Sequence, residues 1–142
     1  MTSLEEHKKK IKEHLDEIED AIEEGIEKKP VTIGFHCSAC SIQLLEFYLH
    51  TINKIPLAKI VKHDWFKRPH ADQKIEPLVD RKLKAEFLRK QEIYGLIYDL
   101  EEERNILMYG KASKEQIKKV LDKFSKLKQI FTELLKNEGI EI

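Results

Sequence analysis

Between Val31 and Asn53 the chain is apolar on almost every side. Ile33, Phe35, Cys37, Ala39, Cys40, Ile42, Leu44, Leu45, Phe47, Tyr48, Leu49 and Ile52 leave few polar positions. A helix without a polar face has to be enclosed by the rest of its chain. No run of 18 apolar residues occurs, so the stretch is a core helix rather than a membrane span. It predicts an architecture in which the other segments surround it. His36, Gln43 and His50, spaced by seven, fall on one stripe of this helix with Glu46 close by.

The flanking segments have the amphipathic period needed to cover it. Leu4, Ile11, Leu15, Ile18, Ile22 and Ile26 recur at helical spacing and predict a first helix over Leu4–Lys28, started by a Ser3/Glu6 capping box and ended by Lys29-Pro30. The central helix follows, over Val31–Asn53. Leu78, Leu83, Phe87, Ile93, Tyr94, Ile97, Leu100 and Leu107 predict a third helix over Pro77–Tyr109, opened by a proline at a tolerated position, closed by Gly110, and with a kink at Gly95 as an option. Ile117, Val120, Leu121, Phe124, Leu127, Phe131, Leu134 and Leu135 predict a fourth helix over Lys114–Asn137, with Ser113 and Gln116 as its capping box. With only 5 Gly and 4 Pro there are few turns to spare, which disfavours an all-β fold. The expectation is one all-α domain over residues 1–142, an up-and-down bundle of four long helices.

Residues 54–76 differ. Lys54, Lys59, Lys62, Lys67, Arg68 and Lys74 stand against Asp64 and Asp72, with His63 and His70 besides and Trp65-Phe66 interleaved. Weak periodicity predicts a basic loop between helices 2 and 3. Lys62, Lys67 and Arg68 are candidates to guide a phosphate backbone, and Trp65 to stack a base. The alternative for Trp65 is a ring that covers the end of the bundle. His63 is the best-placed histidine for proton transfer near neutral pH.

The second chemical candidate is Glu101-Glu102-Glu103-Arg104-Asn105-Ile106-Leu107-Met108-Tyr109-Gly110. Asn105 and Tyr109, four apart, share a helix face, and Arg104 lies about 100° away. A guanidinium, an amide and a phenol at one helix end can hold a phosphodiester. The competing reading pairs Arg104 with Glu101 or Glu103 on the surface.

Other classes are constrained by composition. Lys+Arg and Asp+Glu are equal at 26 each, so overall charge does not drive nucleic-acid binding. The same density of charges is typical of thermophilic proteins. Cys37 and Cys40 are too few for a disulfide framework. Within their apolar segment they read as core residues ahead of metal ligands, and no metal or other cofactor is expected. The N-terminal stretch lacks the apolar core of a secretory signal, and a cytoplasmic location is the expectation.

Taken together, the buried second helix reading Phe35-His36-Cys37-Ser38-Ala39-Cys40-Ser41-Ile42-Gln43-Leu44-Leu45-Glu46, the His63-Asp64 pair in the loop, Arg104-Asn105 near a helix end and a closing amphipathic helix resemble the HEPN family of small helical bundles. The resemblance covers most of residues 10–135, and its specific part is Arg104–Gly110. It implies a homodimer that binds RNA or nucleotides. It further implies a ribonuclease, often the toxin of a toxin–antitoxin pair, or else a non-catalytic helical module that partners a nucleotidyltransferase. Arg104, Asn105 and Tyr109 would form the catalytic set. The family motif is Arg, four to six residues, then His; here Tyr109 stands where the His is expected. A phenol with an ordinary pKa of about 10 is a poor base near neutral pH. The resemblance therefore implies RNA binding with weak or absent ribonuclease activity, unless the loop folds back onto the helix end and brings His63 there.

Overall fold

The computed structural model describes residues 3–142. Its helices are α1 (Leu4–Glu24), α2 (Pro30–Thr51), α3 (Leu78–Lys82), α4 (Lys90–Tyr109) and α5 (Lys114–Asn137), with one turn of 3₁₀ helix at His63–Trp65 and no strand among the described residues. The chain is all-α, five helices packed together. Helix α2 touches α1, α4 and α5, and α4 also packs on α5. From Cys40 to His50 only Gln43 is not buried. One continuous core joins Ile11 and Ile18 of α1, Ile33, Leu44, Leu45 and Leu49 of α2, Ile93, Ile97 and Leu100 of α4, and Leu127, Phe131 and Leu135 of α5.

Local chemistry sets the helix ends. Ser3 Oγ accepts the Glu6 amide at 3.2 Å, the first half of the expected capping box. Helix α1 stops at Glu24 rather than Lys28 because Gly25 turns to φ 113°, a conformation costly for other residues. At α5 both halves of the capping box are made, Gln116 N–H to Ser113 Oγ at 3.2 Å and Ser113 N–H to Gln116 Oε1 at 2.9 Å.

The third segment departs from expectation. Pro77–Tyr109 is not one helix. It breaks at Leu83–Arg89, not at Gly95, which lies inside an unbroken α4. Leu83 and Ala85 are buried and Phe87 is half-buried, whereas Lys84 and Glu86 are exposed. This is the two-residue alternation of extended chain. Leu83 and Phe87, four apart, satisfy both the helical and the extended period, which is why the pattern reads as helix. The turn that follows puts Arg89 at φ 61°, and there Arg89 holds Glu92 and Glu133.

One close approach positions the site. A Cβ on Gly34 would lie 2.9 Å from Leu107 Cβ and 3.7 Å from the Arg104 carbonyl oxygen. Glycine at this point lets α2 and the C-terminal half of α4 meet closely.

Candidate functional site: a cleft between the loop, α2 and α4

The loop after α2 folds back onto α4. Its apolar residues pull it down: Ile55, Val61, Trp65 and Phe66 are buried, and the Phe66 ring meets Tyr94 and Tyr98 edge-on at 5.3 and 5.8 Å. Between and just after these anchors, Lys62, His63, Asp64, Lys67 and Arg68 stay exposed. The backbone is held too, with the Val61 amide donating to Glu46 Oε1 at 2.7 Å.

Folding back creates two adjoining clefts. The first, about 410 Å³, has an apolar floor of Phe35, Ala39, Ile42 and Val61, with Ser38, Gln43, Lys62, His63, Asp64 and Arg104 around it. The second, about 330 Å³, lies between Lys67-Arg68 and the Glu101–Asn105 face of α4. His63, Asp64 and Arg104 line both.

At their junction Glu101 accepts two hydrogen bonds. Ser38 Oγ–H donates to Oε1, and His63 Nδ1 lies 3.0 Å from Oε2. Glu101 is 12% exposed and His63 51%. A carboxylate facing Nδ1 puts the ring proton there, which leaves Nε2 of neutral His63 with the lone pair. Arg104 has no ion-pair partner among the described residues: of its two alternative partners on sequence grounds, Glu101 is taken by Ser38 and His63, and Glu103 does not pair with it either. The result is an imidazole base with a fixed tautomer beside an uncommitted guanidinium.

The remaining candidates separate. Asn105 lines the second cleft with Arg104. Tyr109, 78% exposed at the end of α4, lines neither cleft. Lys62 borders the first cleft and Lys67 the second. Arg68 borders the second as well, but its guanidinium is engaged by Glu102 at 2.6 Å and Asp99 at 2.9 Å, over the Tyr98 ring. Trp65 is only 9% exposed and belongs to the core, so its ring has no open face for a base; the solvent-reachable aromatic of the cleft is Phe35, 40% exposed. Sequence reasoning missed Phe35, Ser38 and Glu101. Phe35 and Ser38 were hidden in an apolar helix and Glu101 in an acidic run.

The stripe expected of His36, Gln43 and His50 does not act as a unit. His36 Nδ1 meets His14 Nδ1 of α1 at 2.9 Å, and burial, then the neighbouring His36 charge, pushes the His14 imidazole below its ordinary range. Gln43 and His50 turn to other partners. Cys37 and Cys40 are both fully buried; burial pushes the Cys40 thiol up to about 12 and the Cys37 thiol higher still. Among the described residues no cluster of three or more His, Cys, Asp or Glu is arranged to hold a metal ion, and no helix is long and apolar enough to cross a membrane.

Comparison with protein-family models, with curated proteins and with solved structures gives no match to this chain.

Proposed function

We propose that the chain is a HEPN-like RNA-binding protein with slow, metal-independent ribonuclease activity at the His63–Arg104 cleft. The observation that carries this reading is the pairing of a carboxylate-held imidazole with an arginine that has no ion-pair partner among the described residues, on the shared wall of the two clefts. Phosphodiester transfer to the ribose 2′-hydroxyl needs a group to take that proton and a cation for the charge that develops on phosphate. His63 Nε2 takes the proton. The 2′-oxygen attacks phosphorus, the P–O5′ bond breaks, and Arg104 faces the equatorial oxygens. The products are a 2′,3′-cyclic phosphate and a 5′-hydroxyl that receives its proton from solvent. Asn105, Lys62 and Lys67 contact the backbone on either side, and Phe35 offers a ring to a base. The activity is slow because the base is on a half-exposed loop residue instead of on the helix that carries the arginine.

The binding step is tested with a fluorescent single-stranded RNA of mixed sequence. Arg104→Ala weakens binding about tenfold, close to 1.4 kcal/mol, and binding to the wild type falls as salt rises. Unchanged affinity in Arg104→Ala together with no salt dependence contradicts the reading.

A second reading, a protein-interaction module, is favoured by one observation. Val31, Phe35, Ile106 and Tyr109 are exposed at the helix ends that meet through Gly34 and Leu107. By the HEPN resemblance the occupant is a second copy of the chain, in a toxin–antitoxin setting or beside a nucleotidyltransferase. Sedimentation that gives a dimer in the wild type and a monomer in Val31→Glu/Ile106→Glu supports it; a wild-type monomer at high concentration removes it.

A further inference from the structure

Two imidazoles and a carboxylate lie buried behind the cleft lining: His7 of α1, 1% exposed, and Glu46 and His50 of α2, each 4% exposed. Their partners form a chain. His7 Nδ1 meets Gln43 Oε1 at 2.9 Å and Glu46 Oε2 at 3.3 Å, so this nitrogen carries a proton and donates. Glu46 uses its other oxygen to accept the Val61 amide at 2.7 Å. His50 Nε2 donates to the Lys59 carbonyl at 3.0 Å. The rings of His7 and His50 meet edge to face with centroids 5.1 Å apart. His7 Nε2 and His50 Nδ1 are buried and have no hydrogen-bond partner. In the neutral tautomers set by these partners, both are lone-pair nitrogens.

Every loop contact in this chain is to main chain just ahead of His63. The network thus holds the backbone that delivers His63 to Glu101. We infer that the buried His7–Glu46–His50 cluster is a proton-sensitive latch that keeps residues 59–63, and with them the cleft, closed at neutral pH and releases them in acid. This rests on the RNA-binding reading only for its consequence at the cleft.

Charge counting gives the direction. The first proton taken up by the imidazoles is balanced by Glu46. A second creates two cations about 5 Å apart around one carboxylate, in a region that solvent does not reach, and buried charge without a partner is strongly unfavourable. No side chain of α4 or α5 makes a hydrogen bond or ion pair with the three. Lys59, whose carbonyl His50 holds, sends its ammonium to the Lys82 carbonyl at 2.7 Å. The strain is relieved by hydrating the imidazoles, which requires the Lys59 and Val61 backbone to lift. Trp65 and Phe66 keep the rest of the loop on the core, so the opening is local. Protonating His63 itself would strengthen phosphate binding, so weaker binding in acid is not a property of the cleft residues.

The test follows Val61 amide protection by NMR hydrogen exchange from pH 8 to 5, with circular dichroism for the helices. Protection at Val61 falls about tenfold from neutral to acid while that at Phe131 and the helical signal stay unchanged, as for a sub-global opening. His50→Gln keeps a donor for Lys59 and loses the second proton site, so its Val61 protection stays flat; His7→Gln does the same by removing the first. If His7→Gln does not fold, His50→Gln decides. Flat protection in the wild type, or the same acid loss in His50→Gln, overturns the latch. RNA affinity of the wild type falls in step with Val61 protection. If the protein binds no RNA at any pH, the functional reading fails while the Val61 signal still decides the latch.

Discussion

Glu101 shows how much one carboxylate can organise. It accepts from Ser38 and from His63, one on each oxygen, and so is not the ion-pair partner of Arg104. Exchange for glutamine keeps the shape and removes the charge that fixes the His63 tautomer. Glu101→Gln is expected to bind RNA like the wild type and to cleave it about a hundredfold more slowly, the scale of a lost general base; equal cleavage rates count against a positioning role. The cysteines give a second check at this scale. With both thiols buried and pushed up in pKa, they are nearly all thiol at pH 8 and shielded from reagents. Neither reacts with a thiol reagent until the protein unfolds, and rapid labelling of the native protein would place them at the surface. His63, Arg104 and Asn105 were legible as candidates because their side chains carry the chemistry. Glu101 and Ser38 were not, because their role depends on a contact that spans 63 residues of sequence. The expected stacking role of Trp65 failed for a related reason: a ring among lysines reads alike whether it faces solvent or the core.

Among the elements, α2 was the most legible, since an apolar surface all round has only one place to go. Helix α5 was equally plain from its period and its capping box. The segment before α4 was not, because Leu83 and Phe87 fit two periods at once and nothing in residue type marks Arg89 for a left-handed turn. The α2–α4 contact has its own test. Gly34→Leu would drive a side chain into Leu107 and the Arg104 backbone. Overpacking of this kind costs about 2 kcal/mol. The expected result is a lower midpoint in urea and weaker RNA binding, as α4 is pushed from α2. An unchanged midpoint would mean the helices can part without cost.

For the whole molecule, the decisive event is the return of the loop onto α4. Its basic residues and its lack of period identify it as a loop, but they do not say where it lands. Buried Val61, Trp65 and Phe66 and the carboxylate of Glu46 determine that, and each acts through a partner distant in sequence. The fold class follows from local patterns, whereas the site follows from this one long-range closure. The most direct test of the account is cleavage of mixed-sequence RNA in the presence of a metal chelator, with wild type, His63→Gln and Arg104→Ala side by side. The expected result is slow cleavage by the wild type, leaving 2′,3′-cyclic phosphate ends, and none above background in either variant, while His63→Gln still binds RNA. No cleavage by the wild type, or cleavage that survives in both variants, would contradict it.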